Sequence, residues 1–175
     1  MSTFNRLEVM AVWGFFRIFV RLLPQATCYK QMEHHLYIGL GSNLGDRRAT
    51  LEEALQLVGR HVGRVVRVSA YRESEPWGFR SDNRFLNAAA LVLTDLSPRE
   101  CLRRTQHIER KLGRTRKSEN GVYHDRTIDI DLLLYDDLCV QEPDLTLPHP
   151  RIRERDFVRL PLQEILEPQS PFPCS

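Results

Sequence analysis

Two aspartates, Asp129 and Asp131, are the first candidates for chemistry in this sequence. They lie in the stretch His124–Asp137, where apolar and polar residues alternate in a way that predicts a β-strand. Alternate side chains of a strand point to one face, so the two Cα atoms should lie roughly 6.5–7 Å apart. Two close carboxylates are costly to bury without a positive partner, and Mg²⁺, which prefers oxygen ligands and often arrives with phosphates, would supply one. The alternative is a half-exposed strand whose aspartates face water.

Positive charge precedes this strand, in the loop from residue 113 to residue 126. The loop carries Arg114, Arg116, Lys117 and Arg126. Guanidinium groups form bidentate bonds with phosphate oxygens, so the loop could hold a polyphosphate opposite two Mg²⁺ ions. The alternative is a basic loop that is merely solvated.

Phe85 and Asn87 begin another predicted strand, Phe85–Thr94, and should share one of its faces. An aromatic platform beside an amide can bind a planar heterocycle. The preceding polar stretch, Arg72–Arg84, is long for a hairpin loop and could fold over a ligand. The alternatives are that Phe85 belongs to the core and that Asn87 is a polar residue beside a turn.

The elements that must position these residues follow from the hydrophobic pattern. Before the acidic strand, the predicted order is a strand (Leu36–Leu40), a helix (Asp46–Gly59), two strands (Val62–Tyr71 and Phe85–Thr94) and a helix (Ser97–Gly113). Asp46 and Ser97 are the predicted N-caps, and Gly39 and Gly41 are expected to interrupt the first strand. The order β-α-β-β-α-β predicts an α+β fold, a ferredoxin-like βαββαβ sandwich whose antiparallel sheet has helices on one face and long active-site loops.

Many functions use this topology, so the sites must decide between them. The sequence contains no GxxxxGK[ST] motif, which excludes a P-loop enzyme. The formal net charge of +2 gives no overall indication of nucleic-acid or membrane binding. The four cysteines are scattered without a CxxC motif, a pattern that favours a reducing cytosol over a disulfide framework.

One domain is expected, because 175 residues of which 42% are hydrophobic can form a single core. We place it at residues 33–175 and treat residues 1–32 as a poorly specified extension, with Met32 as an alternative start. An apolar stretch in the extension is interrupted by Arg17 and Arg21, and it is too short and too charged to predict a membrane span.

From about Leu36 to Pro168 the sequence resembles the 6-hydroxymethyl-7,8-dihydropterin pyrophosphokinase family of folate biosynthesis. Several matching segments occur in one order, which makes the resemblance far more specific than any single motif. They are YIGLGSNLGD (Tyr37–Asp46), YRESEPWG (Tyr71–Gly78), FLNAA (Phe85–Ala89), TQHIERKLGRTR (Thr105–Arg116), DRTIDIDLLLY (Asp125–Tyr135) and LPHPRIRERDFVRLPL (Leu147–Leu162). The resemblance implies the fold already predicted and an enzyme that transfers pyrophosphate from ATP to the hydroxymethyl group of the pterin, giving the pterin diphosphate and AMP.

The family's residue roles carry over, by resemblance, to the matching positions. Asp129 and Asp131 match the pair that binds both Mg²⁺ ions, and Arg114 and Arg126 match the catalytic, phosphate-holding arginines. The implied pterin site comprises Ser74, Glu75, Trp77, Phe85, Asn87 and Phe157. The implied ATP site comprises Gln106, Glu109, Arg114, Arg116, Arg126, His149 and Arg155. In the pterin site the two phenylalanines would sandwich the heterocycle and the amide would bond to it.

Two other classes of function remain open at this point: another Mg-dependent nucleotidyl or phosphoryl transferase, and an RNA-binding ferredoxin-like module. The RNP1 signature of the second class is missing. The loop before Arg126 also lacks the Arg-Trp pair that some family members carry, and Val122-Tyr123 stands there. We expect a cytoplasmic monomer that binds ATP and 6-hydroxymethyl-7,8-dihydropterin, and neither nucleic acid nor a membrane.

Overall fold

The computed structural model describes residues 33–114 and 124–167. Its strands and helices, in chain order, are β1 (His34–Ser42), α1 (Arg47–His61), β2 (Arg64–Val68), β3 (Arg72–Ser74), β4 (Phe85–Thr94), α2 (Pro98–Lys111), β5 (Asp129–Tyr135), β6 (Val140–Glu142), β7 (Leu145–Leu147) and α3 (Asp156–Ile165). The remaining residues, which include the predicted extension, lie outside this description. Within the described ranges no helix is both long and apolar enough to cross a membrane.

The main sheet confirms the predicted ferredoxin-like topology. Its order is β2-β4-β1-β5, neighbouring strands are antiparallel, and β3 pairs with the start of β4. Strand β1 is bonded along both edges, so it continues through Gly39 and Gly41, where the sequence analysis wrongly predicted an interruption.

The predicted strand Val62–Tyr71 is shorter in the structure, because a side chain replaces part of the backbone ladder after β2. The Ser69 N–H donates to Ala89 O at 2.9 Å, and the Ser69 hydroxyl accepts from the Ala89 N–H, also at 2.9 Å. The new strand β3 then begins at Arg72. The first residues of the predicted polar loop therefore belong to the sheet.

Local sequence determines where the first two helices begin and end. Asp46 Oδ1 accepts from the Ala49 N–H at 3.0 Å, and Ser97 Oγ accepts from the Glu100 N–H at 3.3 Å. Both predicted N-caps are therefore confirmed. Gly113 follows α2 with a φ of +89°, a conformation that glycine adopts without strain.

One face of the sheet packs against α1 and α2, as predicted. The core on this side includes Leu36 and Ile38 from β1, Leu51 and Val58 from α1, and Ile108 from α2. These side chains are at most 1% exposed. Burial of this area is the main stabilising contribution to the fold.

The opposite face carries the third helix, α3, which the sequence analysis did not identify. Leu162 and Ile165 pack there against Tyr37 and Leu133. The spacing of Leu162 and Ile165 is helical, whereas Pro161, which lies inside the helix, argues against one at the sequence level. Where α3 begins, this face of the sheet opens into a cleft.

The sequence favoured a reducing cytosol over a disulfide framework, and the two described cysteines differ in their state. Cys101 is a buried free thiol, and burial raises its pKa to about 11. Cys139 is disulfide-bonded, and its partner lies outside the described residues.

Candidate active site

A cleft lies on the α3 face of the sheet. It is bounded by β1, β4, β5, the loop from residue 75 to residue 84, and the start of α3. It brings together residues that the sequence analysis assigned to metal, phosphate and pterin binding: Ser74, Glu75, Trp77, Phe85, Asn87, Arg126, Asp129, Asp131, Arg155 and Phe157. An apolar and aromatic lining with a few convergent polar groups is typical of a small-molecule site.

Gly39 and Gly41 form part of the wall of the cleft. In the register between β1 and β5 they lie opposite Asp131 and Asp129, respectively. A Cβ atom at Gly41 would lie 3.1 Å from Asn87 Oδ1, closer than an ordinary contact. Gly41 therefore leaves room for the Asn87 amide. This role was not predicted from the sequence, although a glycine inside a strand often marks such a close approach.

Asp129 is held by two arginines. Arg114 Nη1 donates to both Asp129 Oδ1 and Glu109 Oε1, and Arg126 Nη2 lies 3.2 Å from Asp129 Oδ2. Glu109 Oε1 also accepts from the Ile130 N–H at 2.7 Å. The side chains of Arg114, Glu109 and Asp129 are only 12%, 8% and 17% exposed, so solvent screens these ion pairs weakly.

Burial and neighbouring charges shift the pKa values of Glu109 and Arg114. Burial raises the pKa of Glu109 to about 6, and Asp129 adds to that effect while Arg114 opposes it. Burial disfavours the charged form of Arg114, but Asp129 and Glu109 outweigh it and raise the pKa of the guanidinium. Arg114 therefore stays positively charged between two carboxylates.

Asp131 differs from Asp129 in its hydrogen bonds and ion pairs. Within residues 33–114 and 124–167, its carboxylate forms no hydrogen bond and no ion pair. Burial and the negative charge of Asp129 raise its pKa to about 7, although Arg126 acts in the opposite direction. This carboxylate is therefore short of positive charge.

Two carboxylates in this arrangement fit Mg²⁺. The described residues contain no cluster of three or more His, Cys, Asp or Glu side chains that could hold a metal ion. Mg²⁺ usually takes one or two protein carboxylates and completes its octahedron with water and phosphate oxygens. A cation beside Asp131 would supply the positive charge that this side chain lacks, so the donor set suits a phosphate-bridged ion.

Two aromatic rings and an amide lie next to the acidic pair. The Arg126 guanidinium lies 5.3 Å from the ring centroid of Phe85. Asn87 Nδ2 donates to Ser74 Oγ at 3.0 Å and to Arg72 O at 3.3 Å, which fixes the amide. Phe79, which the sequence analysis did not select, also lines the cleft and packs edge-on against Phe85 with centroids 6.2 Å apart. Loop residues such as Phe79 carry no periodic signal, so sequence pattern alone could not identify it.

Arg155 lies among aromatic residues in the same cleft. It is 7% exposed, and its guanidinium lies 4.2 Å from the ring centroid of Trp77 and 5.7 Å from that of Phe157. Arg151 lies 5.1 Å from the same Trp77 ring. The structure thus brings Arg155, assigned by resemblance to ATP, together with two residues assigned to the pterin.

The other predicted ATP residues lie at the edge of this site or beyond the description. The backbone N–H of His149 donates to Leu133 O at 2.9 Å. Burial and the charge of Arg155 lower the pKa of His149 to about 4, so the imidazole is neutral at pH 7. Gln106 is half-buried on α2, three residues before the glutamate that holds Arg114. Arg116 lies outside the described residues.

Comparison with known proteins identifies several similar proteins. The statistical model of the family described as 7,8-dihydro-6-hydroxymethylpterin-pyrophosphokinase (HPPK) matches residues 37–167. The 2-amino-4-hydroxy-6-hydroxymethyldihydropteridine pyrophosphokinase of Porphyromonas gingivalis (strain W83) is 51% identical over 142 residues, which cover 79% of this chain and 97% of that protein. The enzyme of the same name from Bacillus subtilis (strain 168) is 42% identical over 137 residues, 78% of this chain and 80% of that protein.

The fold is similar to that of solved HPPK-DHPS structures. The wild-type Plasmodium falciparum HPPK-DHPS with SDX-DHP matches with a TM-score of 0.60 and 15% identity, over 75% of this chain and 40% of that one. An HPPK-DHPS in complex with substrates matches with a TM-score of 0.58 and 15% identity, over 76% of this chain and 40% of that one. This chain therefore spans about two fifths of the length of those structures, and the likeness at this identity shows the fold alone.

Proposed function

The chain belongs to the 7,8-dihydro-6-hydroxymethylpterin-pyrophosphokinase family, and from that premise we propose how its cleft carries out the reaction. It is a 2-amino-4-hydroxy-6-hydroxymethyldihydropteridine diphosphokinase of folate biosynthesis. It transfers pyrophosphate from ATP to the hydroxymethyl group of 6-hydroxymethyl-7,8-dihydropterin, and the products are the pterin diphosphate and AMP.

The pterin binds at the aromatic side of the cleft. Phe85 and Phe157 offer ring faces for a planar heterocycle, and the fixed amide of Asn87 can pair with its polar edge. Ser74 and Trp77 line the same region. This arrangement would place the hydroxymethyl group towards the acidic pair.

The triphosphate binds at the charged side. Arg114 and Arg126 are cations that contact Asp129, and in this proposal their guanidinium groups hold phosphate oxygens. Asp129 and Asp131 would hold Mg²⁺, and the bound ions would neutralise charge on the transferring phosphates. Gln106, Glu109, Arg116, His149 and Arg155 are the further ATP-site residues of the proposal.

The chemical step is a displacement at the β-phosphorus. The hydroxymethyl oxygen forms a bond to that phosphorus and loses its proton to solvent, while the bond from that phosphorus to the oxygen that bridges the α- and β-phosphates breaks and AMP leaves with that oxygen. Such a step needs little covalent chemistry from the protein, so positioning and charge neutralisation carry the catalysis. The observation that supports this proposal most is that Asp129 and Asp131 share one cleft with Phe85, Asn87 and Phe157.

Calorimetry tests the proposal directly. We expect a non-hydrolysable ATP analogue to bind with Mg²⁺ and far more weakly without it, and 6-hydroxymethyl-7,8-dihydropterin to bind at a separate site. Phe157→Ala and Asn87→Ala should weaken pterin binding by about tenfold or more while changing nucleotide binding less than about threefold, because these side chains suit a planar heterocycle. Equal losses for the two ligands would show that the pterin site is misplaced.

We also propose that the protein acts as a cytoplasmic monomer without a nucleic-acid partner. Several exposed arginines, including Arg47, Arg72 and Arg99, form ion pairs with carboxylates, which leaves less positive charge for a phosphate backbone. Light scattering coupled to size exclusion, with and without a DNA or RNA oligonucleotide, would contradict this if a dimer or a complex elutes.

A further inference from the structure

Asp125, the residue before Arg126, receives hydrogen bonds from two separate parts of the fold. Asn43 Nδ2 donates to Asp125 Oδ1 at 2.6 Å, and Asn83 Nδ2 donates to Asp125 Oδ2 at 2.9 Å. Desolvation alone would raise the pKa of Asp125, but hydrogen bonds from Ser81, Asn83 and Asn43 outweigh it and lower the pKa. Each carboxylate oxygen therefore accepts from an amide of a different segment.

Asn43 extends this contact to the backbone of Arg126. Its N–H donates to Arg126 O at 3.2 Å, and its Oδ1 accepts from the Arg126 N–H at 2.8 Å. Asn43 is only 3% exposed and directly follows β1, so it is part of the rigid sheet. This pair of bonds fixes the position from which the Arg126 side chain reaches Asp129 and Phe85.

Asn83 extends the contact in the other direction, to the loop from residue 75 to residue 84. This loop carries Trp77 and Phe79, which both line the cleft. The Asn83 carbonyl also accepts from Asn43 Nδ2 at 3.3 Å. The loop over the cleft and the backbone of Arg126 are thus joined through one carboxylate.

We propose that Asp125 is a positioning residue for the pyrophosphoryl transfer, and this rests on the proposed function. Through Asn83 it holds the loop with Trp77 and Phe79 over the pterin side of the cleft. Through Asn43 it holds Arg126 against the acidic pair on the phosphate side. In this proposal Asp125 touches neither substrate. It acts on the reaction through two connections, called arms below: the hydrogen bond to Asn83 and the hydrogen bond to Asn43.

A set of variants separates the hydrogen bonds to the loop from those to Arg126. Asp125→Ala removes both, and Asn83→Ala removes only the arm to the loop. Asp125→Asn combined with Asn83→Asp exchanges donor and acceptor between the two positions and keeps the net charge, so the bond can form again. Asp82→Ala is the matched control, since Asp82 neighbours Asn83, carries the same charge as Asp125 and forms no hydrogen bond or ion pair with any described residue.

The two arms predict different kinetic effects. Loss of a charge-assisted hydrogen bond costs about tenfold, so Asn83→Ala should raise the pterin KM about tenfold and leave kcat within about twofold. Asp125→Ala should raise the pterin KM by the same factor and also lower kcat by about tenfold. Adding Asn83→Ala to Asp125→Ala should change nothing further. The exchange of donor and acceptor should recover most of the pterin KM that Asp125→Asn alone loses.

Three outcomes would overturn the proposal: Asp125→Ala behaving like Asp82→Ala, additive effects of Asp125→Ala and Asn83→Ala on the pterin KM, or no recovery in the exchange variant. Circular dichroism and thermal midpoints check folding. If Asp125→Ala does not fold, Asn83→Ala and the exchange variant still decide the question. A wild-type protein without pyrophosphoryl transfer would refute the proposed function instead, whereas an active wild type with unaffected variants refutes only the role of Asp125.

Discussion

Asp129 and Asp131 have identical side chains on one strand face, yet their electrostatic surroundings are opposite. Asp129 is paired with Arg114 and Arg126. The pKa of Asp131 is raised to about 7, by burial and by the charge of its neighbour. The first carboxylate therefore contributes to folding stability, whereas the second costs stability when it is ionised.

This difference predicts opposite effects of the same substitution. At pH 8 with the metal chelated, Asp131→Asn should raise the free energy of unfolding by on the order of 1–2 kcal/mol, because a neutral amide replaces an unfavourable buried charge. Asp129→Asn should lower it by about 2 kcal/mol, because Arg114 and Arg126 lose their shared partner. Both variants should lose pyrophosphoryl transfer. Urea denaturation and a turnover assay measure the two quantities.

The pH dependence provides the control for this prediction. The raised folded-state pKa means that Asp131 lowers stability progressively as the pH rises from about 4, the ordinary pKa of the group, to about 7, so the gain from Asp131→Asn should be largest above pH 7, about half as large near pH 5.5, and absent only near pH 4. Equal stability changes for both variants, or near-normal turnover in either folded variant, would contradict the assignment.

His149 predicts a pH effect of the other sign. Its folded-state pKa is lowered from 6.5 to about 4, so between these values the unfolded chain binds a proton that the folded protein does not. Stability should therefore fall as the pH falls from 7 to 5, by about 2 kcal/mol from this residue. Glu109 and Asp131, whose pKa values are raised, have the opposite effect on stability as the pH falls. Both residues are present in the wild type and in His149→Asn, so their effect cancels when the two proteins are compared. The free energy of unfolding of the wild type should therefore fall relative to that of His149→Asn between pH 7 and pH 5. The same difference between the two proteins at both pH values would contradict the prediction.

At the scale of elements, strand β1 shapes the cleft through residues that lack side chains. Its odd-numbered positions face α3 and the cleft, and there the strand changes from Tyr37, which packs in the core, to Gly39 and Gly41. The even-numbered positions Leu36 and Ile38 continue the core under α1 and α2. One strand thus stabilises the fold on one face and leaves space for ligands on the other.

Gly41→Ala should therefore damage the pterin site more than the fold. The added Cβ would lie 3.1 Å from Asn87 Oδ1 and would displace the amide. We expect the pterin KM to rise about tenfold, since sub-ångström displacement of a positioning group is costly. Gly39→Ala is the matched control, because the three atoms nearest to its Cβ would all belong to the flexible Leu133 side chain, at 3.4 Å or more, which is ordinary contact. Similar pterin KM values for both variants would contradict this reading of the strand.

At the scale of the whole molecule, the cleft is separate from the larger hydrophobic core of the described residues. Helices α1 and α2 cover one face of the sheet, while α3 and the cleft share the other. The residues that line the cleft lie between Gly39 and Val158. The domain that we propose, residues 33–175, thus contains every described residue of the site.

A chain that begins at Met32 should consequently fold and keep full activity. Residues 1–32 lie outside the described residues, and this prediction rests on the location of the cleft alone. Thermal midpoint and turnover, compared side by side with the full-length protein, provide the measurement. A clear loss of stability or turnover in the shorter chain would show that the extension contributes to the domain.

Local sequence determined the elements and much of the site's composition. A period of two residues predicted the acidic strand, and helical periodicity with N-caps at Asp46 and Ser97 predicted two helices. These signals are short-range, because side-chain direction and capping depend on neighbouring residues only. The order of motifs along the chain then implied the family, to which the chain belongs.

Tertiary structure alone decided how the site residues differ from one another. Nothing local distinguishes Asp129 from Asp131, since the difference arises from where Arg114 and Arg126 come to lie after folding. The interruption after β2, the position of α3 and the bonds from Asn43 to Arg126 likewise depend on partners far away in the sequence. Periodicity cannot report such partners, because desolvation and pairing are properties of the packed chain.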